Sequence, residues 1–458
     1  MGAILVVPEP GASADSTTAM TLVRLDPDVH SAAKCLDGST AGYYHRPGKP
    51  ESAGGWVVYL EEGGWCFTLE ECRGLQHGQQ GSSVWWPDIR HDSGGLLSAS
   101  GIDDPDMSTW HKVLVPSCDA TSFASNRSSP VPIPPPSGQG KGGQIWLRGA
   151  EIIMAIVVDI QERYGFSGRV LFAGSGSGGL AVLLHLDAIA TKIKNSCSAV
   201  VSDVVGLADS AFIPAMLAGK VTHAVALFKD AVELWHPKLP LNGCGSGMQG
   251  WNCLFAQQIV AQLRTPVFIV QSLHDCVHMR LSLSLHDRHE DLIGLWEDAV
   301  QTALLSALSW KKHGFFINTC PARVQVLMDC GIAPERSKAD TLQHQQHGGG
   351  TGSERDSAPV EKVAFGSLMM CNPCGGWRKH YVRVGCQLIS VREAFGDWYF
   401  AGSSAEFAKV IDRTRGVVNP SCRYILDYST HIHDWNASSE DKIHVRDVED
   451  VFFAEDEL

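Results

Sequence analysis

A turn of small residues, Gly174-Ser175-Gly176-Ser177-Gly178, has the spacing of the nucleophile elbow of serine hydrolases. In the G-x-S-x-G pattern the central serine stands on a sharp strand-to-helix turn, and backbone N–H groups nearby face the oxyanion of an acyl-transfer reaction. Here the central residue is Gly176, which has no hydroxyl. Glycine adopts a positive φ without strain, so this residue relaxes the turn and removes the nucleophile. The alternative interpretation is an ordinary glycine-rich βα loop, such as one that binds phosphate.

Apolar runs of two kinds alternate along the chain around this turn. Short, strand-like runs are followed by longer runs of helical length, and this alternation predicts an α/β fold with a largely parallel sheet covered by helices. The strand and the helix that hold the turn are predicted at 169–173 and 179–194. Further strands are predicted at 55–60, 113–116, 200–205, 267–271 and 314–318, and a buried helix at 151–163.

The composition limits the possible classes of protein. A chain of 458 residues, 44% of them hydrophobic, can bury the core of one large domain. The net charge of −13 argues against nucleic acid as a partner, because binding phosphates needs a basic surface. No apolar stretch is long enough to predict a membrane span. The apolar run at 3–7 is too short for a signal peptide, so we expect either a cytosolic protein or a start upstream of Met1.

Fourteen cysteines are spread over the chain, as is more typical of a secreted, disulfide-containing protein than of a cytosolic one. Their pairing is left open by the sequence. Cys371 and Cys374 have CxxC spacing, but no second pair accompanies them, so no zinc site is predicted. Asn126 and Asn436 begin glycosylation sequons. Residues 455–458 resemble an ER-retrieval signal, although a solvated acidic tail is the simpler interpretation.

Changes in composition divide the chain into segments. We expect an N-terminal extension at 1–24, one α/β domain at 25–432 and an acidic tail at 433–458. Two segments rich in small and polar residues, about 124–143 and 334–362, are predicted to be flexible insertions in that domain.

Five short motifs follow one another in a fixed order along the chain. They are Cys35-Leu36-Asp37-Gly38-Ser39, Leu60-Glu61-Glu62-Gly63-Gly64-Trp65-Cys66, Cys118-Asp119-Ala120-Thr121-Ser122-Phe123, Arg148-Gly149-Ala150 and Ser390-Val391-Arg392-Glu393-Ala394-Phe395-Gly396-Asp397-Trp398-Tyr399. In residue type and order they resemble the motifs of the pectin acetylesterases of plants and bacteria and of their animal relative Notum, a carboxylesterase that deacylates a lipidated signalling protein. The resemblance implies an α/β-hydrolase-like fold, with a mostly parallel central sheet flanked by helices, and a secretory or extracellular location.

The resemblance also implies where a Ser-Asp-His triad belongs. The serine position is Gly176, the acid is Asp275 at the end of a predicted strand, and the histidine position is Arg323, which follows Gly314-Phe315-Phe316-Ile317-Asn318. Two of the three members are therefore replaced. A guanidinium with a pKa above about 12 cannot act as a general base near neutral pH, and glycine has no nucleophile. We expect the Asp275 carboxylate to pair with Arg323 instead of orienting an imidazole.

The groups that would stabilise an oxyanion are backbone amides, which do not depend on side chains. By the same resemblance they come from Gly63, Gly64 and Trp65, after the first buried strand, and from the N–H of Ser177. Glu62 stands where the motif has a glycine, and its anion opposes a developing negative charge if it points inward.

Two hypotheses of function follow. The first is a catalytically impaired pseudoenzyme of this hydrolase family. The second is an active serine carboxylesterase that uses a displaced Ser175 or Ser177, with a base recruited from His274, His278 or His313. A third hypothesis, an incorrectly assembled coding sequence, would account for the insertions and the missing signal peptide together.

The resemblance implies as ligand an acylated polysaccharide or an acylated protein, and specificity resides in the variable loops around the cleft. No metal or organic cofactor is implied, and we expect a monomer.

Overall fold

A computed structural model of the protein describes most of the predicted domain. It covers residues 18–49, 54–91, 94–135, 142–197, 200–217, 220–238, 250–282, 296–303, 312–320, 322–327, 377–378, 381–384, 387–401 and 405–412. The second predicted insertion, the Cys371–Cys374 pair, the sequon at Asn436 and the acidic tail lie outside the described residues.

The described strands, in chain order, form one large sheet and three small ones. They are β1 (Ala19–Arg24), β2 (Gly42–Arg46), β3 (Trp56–Leu60), β4 (Ile89–His91), β5 (His111–Val115), β6 (Val131–Ile133), β7 (Gly143–Ile145), β8 (Gly168–Ser175), β9 (Val201–Asp209), β10 (Met216–Leu217), β11 (Lys220–Val221), β12 (Val267–Ser272), β13 (Gly314–Asn318), β14 (Tyr381–Val384), β15 (Gln387–Ser390) and β16 (Lys409–Ile411).

Helices cover the sheet and connect its parallel strands. They are α1 (Leu69–Leu75), α2 (Gly149–Arg163), α3 (Ser177–Cys197), α4 (His223–Trp235), α5 (Ala256–Val260), α6 (Cys276–Ser282), α7 (296–303) and α8 (Val391–Phe400), with 3-10 turns at Ser83–Trp85, Gly95–Leu97 and Gly250–Leu254. None of the helices in the described part of the chain combines the length and the apolar character needed to cross a bilayer.

The large sheet has ten strands in the order β16-β13-β12-β9-β8-β3-β5-β2-β1-β4. From β16 to β5 all neighbours are parallel, whereas β2, β1 and β4 extend the sheet with antiparallel pairs. β3, β12 and β13 are buried at every residue, as strands with helices on both faces must be. The predicted α/β fold with a mostly parallel sheet is confirmed.

Several strands of the structure were not predicted by the apolar runs, β1, β6 and β7 among them. β1 places residues 19–24, which the composition assigned to an N-terminal extension, in the central sheet next to β2. Its burial is mixed, so it lacks the continuous apolar run of a central strand. The first predicted insertion contains β6 and ends in β7, and these two strands pair antiparallel on either side of residues 136–141, which lie outside the described set.

The C-terminal ends of the parallel strands meet at one edge of the sheet, where ligand sites of α/β folds form. The elbow glycines let α3 approach this edge closely. A Cβ atom on Gly178 would lie 2.1 Å from the carbonyl oxygen of Leu60 at the end of β3, and one on Gly179 would lie 2.6 Å from that of Asp209 at the end of β9. These glycines are therefore required by backbone packing, independently of any chemistry.

We predict that Gly178→Ala destabilises the protein by at least about 1–3 kcal/mol, because the added methyl overlaps a backbone oxygen that cannot rotate away. Gly74→Ala in α1 is the matched control, since a Cβ there meets nothing within 4 Å and alanine favours a helix. Equilibrium denaturation measures both free energies of unfolding, and equal values for the two variants would contradict the close packing.

Candidate functional site

The predicted strand-turn-helix is confirmed at the elbow. β8 ends at Ser175, α3 begins at Ser177, and Gly176 between them has a φ of +54°. Its N–H donates to the carbonyl oxygen of Asp209 at 2.9 Å, which ties the turn to the end of the neighbouring strand β9. The turn therefore keeps the backbone geometry of a nucleophile elbow without the side chain.

Arg323 lies beside this turn and binds two carboxylates. Its Nη1 donates to both oxygens of Asp275 at 3.0 Å, so the predicted ion pair is present. Its Nε donates to Oε1 of Glu62 at 2.6 Å, and its Nη2 also contacts that oxygen. The guanidinium and Asp275 are buried, and the Glu62 side chain is 18% exposed. Loops that follow β3, β12 and β13 are thereby held together by one buried cation.

The carboxylate of Glu62 occupies the space in which a nucleophile side chain would begin. A Cβ atom built on Gly176 would lie 2.3 Å from Oε1 of Glu62 and 2.5 Å from Nη2 of Arg323. The structure therefore brings Gly176, Asp275 and Arg323 into one cluster, with Glu62 as a fourth member. The sequence placed Glu62 near the oxyanion loop but did not identify its partner.

The charge state of this cluster follows from its partners. Burial alone lowers the pKa of Arg323, but the charges of Asp275 and Glu62 outweigh burial and raise the pKa above its ordinary value. The guanidinium therefore stays protonated and cannot take a proton from a hydroxyl.

Helix α6 holds Asp275 from its other side. The N–H groups of Val277 and His278 donate to Oδ1 of Asp275, both at 3.0 Å. Nδ1 of His278 lies 3.5 Å from Oδ2, and burial lowers the pKa of this histidine to about 4. Asp275 thus has a neutral imidazole as a neighbour and Arg323 as its cationic partner.

The two serines beside Gly176 bind groups other than an imidazole. Ser175 is fully buried, accepts from the hydroxyl of Tyr59 at 2.8 Å and donates to Asp209 at 2.8 Å. The hydroxyl of Ser177 accepts from the N–H of Gly63 at 2.8 Å and donates to the carbonyl oxygen of the same residue at 2.9 Å. Within the described ranges, neither hydroxyl has a histidine as hydrogen-bond partner.

The other candidate bases lie in unrelated contacts. His274 places Nδ1 at 2.7 Å from the carbonyl oxygen of Thr319 and Nε2 at 2.5 Å from Glu297. His313 accepts from the N–H of Val267, the first residue of β12, at the opposite edge of the sheet from the elbow. Of the three candidate histidines, only His278 contacts a member of the Glu62–Arg323–Asp275 cluster.

The loop predicted to supply oxyanion donors lies against the elbow. One of its amides, that of Gly63, is already bound to the Ser177 hydroxyl. Trp65 is 5% exposed, and its ring nitrogen donates to the hydroxyl of Ser122 at 2.6 Å. A Cβ on Gly64 would meet Gln80 at 3.3 Å, so this side of the loop is also packed.

Asp209 is a site residue to which the sequence assigned no role. It is fully buried at the end of β9, where its carboxylate accepts from Ser175, from the hydroxyl of Ser210 at 3.0 Å and from the N–H of Val326 at 3.2 Å. It therefore connects the elbow to the segment that carries Arg323. Burial raises its pKa from 3.8 to about 7. The strand predicted at 200–205 ends before Asp209, so the sequence analysis gave no sign of this role.

Left-handed backbone conformations are concentrated at the same edge of the sheet. Residues other than glycine with positive φ include Ala120, Ser122 and Phe123 after β5, Ser210 after β9 and Val324 after β13. Such conformations are uncommon for side chains with a Cβ, above all for β-branched valine, and they persist only where packing enforces them. The loops around the cluster are thus held in a strained arrangement.

Disulfide bonds fasten the same loops. Cys66, directly after the oxyanion loop, is bonded to Cys72 in α1, and Cys118, after β5, is bonded to Cys35. Cys253 and Cys320 each take part in a disulfide bond as well. The described residues contain no group of three or more side chains that could hold a metal ion.

Comparison with known proteins gives consistent matches. A family model described as pectinacetylesterase matches residues 12–331. The palmitoleoyl-protein carboxylesterase NOTUM of Schmidtea mediterranea is 28% identical over 265 residues, which are 54% of this chain and 47% of that protein. Pectin acetylesterase 4 of Arabidopsis thaliana is 27% identical over 323 residues, or 64% of this chain and 74% of that protein. The match thus spans about half the length of the NOTUM relative.

A solved structure shares the fold. The Wnt deacylase Notum from Drosophila superposes with a TM-score of 0.57 at 25% identity, covering 68% of this chain and 87% of that one. This similarity agrees with the α/β-hydrolase-like architecture described above.

We predict that Arg323→Ala destabilises the protein by about 3–5 kcal/mol, because Asp275 is then left buried without its cation. Arg264→Ala is the control. Arg264 pairs with Asp187 at 3.4 Å, but its side chain is 82% exposed, so we expect a loss below about 1 kcal/mol. Chemical denaturation of both variants checks this, and a cost for Arg323→Ala as small as that of the control would contradict a tightly coupled buried cluster.

The pH dependence of stability provides a test of the Asp209 network. Because its pKa is raised in the folded state, folded protein retains a proton between pH 4 and about pH 7 that the unfolded chain releases. The contribution of Asp209 to stability is therefore present below about pH 4 and is lost as the pH rises through about 7. We predict that Asp209→Asn becomes more stable relative to the wild type as the pH rises through this window, because asparagine has no proton to lose. Melting temperatures of both proteins against pH measure this difference. Parallel curves for the two proteins would rule out the raised pKa.

Proposed function

Because the chain belongs to the pectinacetylesterase family of carboxylic-ester hydrolases, we propose that it is a pseudoenzyme of this family, a protein that retains the fold and the elbow without ester hydrolysis. One observation carries the proposal. The guanidinium of Arg323 lies between Glu62 and Asp275, next to Gly176, where the family mechanism needs a hydroxyl and a neutral imidazole.

The chemistry of those groups supports this proposal. Acyl transfer by a serine triad needs a nucleophile, a base that accepts its proton and an acid that orients the base. Gly176 provides no nucleophile, and a protonated guanidinium provides no base. Loss of triad members leaves only a residual rate, about 10³ to 10⁴ over water, from the oxyanion hole and binding.

The contacts of the neighbouring serines argue against a displaced nucleophile. Ser175 faces the interior, between Tyr59 and Asp209, where no substrate reaches it. Ser177 is 2% exposed and is bound to both backbone groups of Gly63. Activation of either hydroxyl needs a new rotamer and a new base at the same time.

For the role that remains, we propose ligand binding without turnover. Support comes from the strained loops at the C-terminal edge, because backbone strain of this kind is concentrated at ligand clamps and active sites. The names of the relatives suggest the ligand class, an acetylated polysaccharide or an acylated protein. The disulfides Cys35–Cys118 and Cys66–Cys72 support a location in the secretory pathway or outside the cell.

We predict that the purified protein shows no saturable hydrolysis of p-nitrophenyl acetate and no labelling by a fluorophosphonate, a reagent that modifies activated serines. Ser177→Ala and Ser175→Ala are assayed beside it. Saturable hydrolysis that one of these two substitutions abolishes, with the probe located at that serine by mass spectrometry, would refute the proposal and establish the displaced nucleophile.

A further inference from the structure

We infer that Glu62 and Ser177 are further obstacles to hydrolysis beside the missing triad residues, Glu62 by filling the place of the nucleophile and Ser177 by occupying an oxyanion amide. Restoring the serine and the histidine alone therefore does not restore activity. The inference rests on the proposed function and adds two residues to the causes of inactivity.

The position of Glu62 supports the first part. Oε1 and Cδ of Glu62 would lie 2.3 and 2.5 Å from a Cβ at position 176, closer than Cβ atoms approach other heavy atoms in proteins. A serine at this position must displace the carboxylate before its hydroxyl can reach any substrate. Glu62 is held in place by Arg323, which donates to it from Nε and Nη2.

Removal of Arg323 does not by itself clear the position. In a Gly176→Ser/Arg323→His double variant, Glu62 loses its cation but keeps its backbone position in the loop after β3. A carboxylate there opposes the negative charge that develops on a carbonyl oxygen during attack, because electrostatic interactions are strong in a site shielded from water. Glycine at position 62, as in the motif that the chain resembles, removes both the volume and the charge.

The contacts of Ser177 support the second part. Its hydroxyl accepts from the N–H of Gly63 at 2.8 Å, a full-strength hydrogen bond, and so occupies one of the amides expected to face an oxyanion. A substrate carbonyl must compete with a hydroxyl that is already attached and oriented. Alanine at position 177 leaves this amide available without changing the backbone of the helix start.

The first experiment restores the triad stepwise. Fluorophosphonate labelling and p-nitrophenyl acetate hydrolysis are measured for Gly176→Ser/Arg323→His, for this pair with Glu62→Gly, and for the triple variant with Ser177→Ala added. We expect labelling of the double variant to stay at the background rate, labelling of the triple variant to be at least tenfold faster than this background, and hydrolysis to increase by about tenfold or more on addition of Ser177→Ala. Adding Glu62→Gln instead of Glu62→Gly separates volume from charge, and it is expected to label slowly.

Two results would overturn the inference. Glu62 is not a block if the triple variant folds and is labelled no faster than the double variant. Ser177 is not a block if Ser177→Ala leaves hydrolysis unchanged. Neither result bears on the wild type, whose own inactivity is tested separately above, so the two proposals fail in distinguishable ways.

A second experiment does not depend on activity. Gly176→Ala is introduced into the wild type and into Glu62→Gly, and melting temperatures are compared. We expect the alanine to lower the melting temperature more in the wild type, by at least about 2 °C, because its methyl meets Glu62 only there, whereas its contact with Arg323 is common to both backgrounds.

Gly165→Ala is the matched control for this comparison, since Gly165 also has a positive φ, +73°, but a Cβ there meets nothing within 4 Å. It should cost the same in both backgrounds. Equal losses for Gly176→Ala in the two backgrounds would overturn the steric part of the inference.

Discussion

The candidate site depends on one buried cation shared by two carboxylates. Arg323 neutralises Asp275, which is fully buried, and Glu62, which is largely buried. Each carboxylate follows a different strand of the parallel sheet, and the arginine follows a third. Charges removed from water must be paired, so the three loops cannot move apart without exposing or orphaning a charge. The same constraint fixes Glu62 beside Gly176, and the space next to this glycine is therefore closed by an electrostatic requirement.

The network behind the elbow acts on the same loops through hydrogen bonds. Asp209 accepts from Ser175 on one side and from the N–H of Val326 on the other, so it joins the elbow to the segment that carries Arg323. Val324, between these anchors, has a φ of +56°. A strained valine is tolerated because the ion pair before it and the Asp209 contact after it leave this short segment no relaxed alternative. The strained residue thus lies between the ion cluster and the Asp209 contact.

The sequence predicted the parts of the molecule that depend on local pattern. Continuous apolar runs identified β3, β12 and β13, and the order of motifs placed Asp275 and Arg323 in a common site. It did not predict β1, whose half-exposed pattern carries little apolar signal. Nor could it assign partners to Ser177 or Glu62, because the direction of a side chain on a tight turn depends on the loop opposite. Asp209 lies beyond the strand predicted at 200–205, and its role arises from burial, which the apolar pattern did not indicate.

The residues at positions 62, 176 and 323 make physical sense only together. A serine at position 176 conflicts with the present places of Glu62 and Arg323, because its Cβ would overlap both. A neutral histidine at position 323 would leave two carboxylates, Glu62 and Asp275, without a cation. An uncompensated charge of this kind is what makes breaking a buried ion pair strongly destabilising. Glycine at position 62 would remove one of the two anions that hold the guanidinium. Each residue of this set thus creates the conditions under which the others are stable, and the observed arrangement is a self-consistent packing of charge and volume.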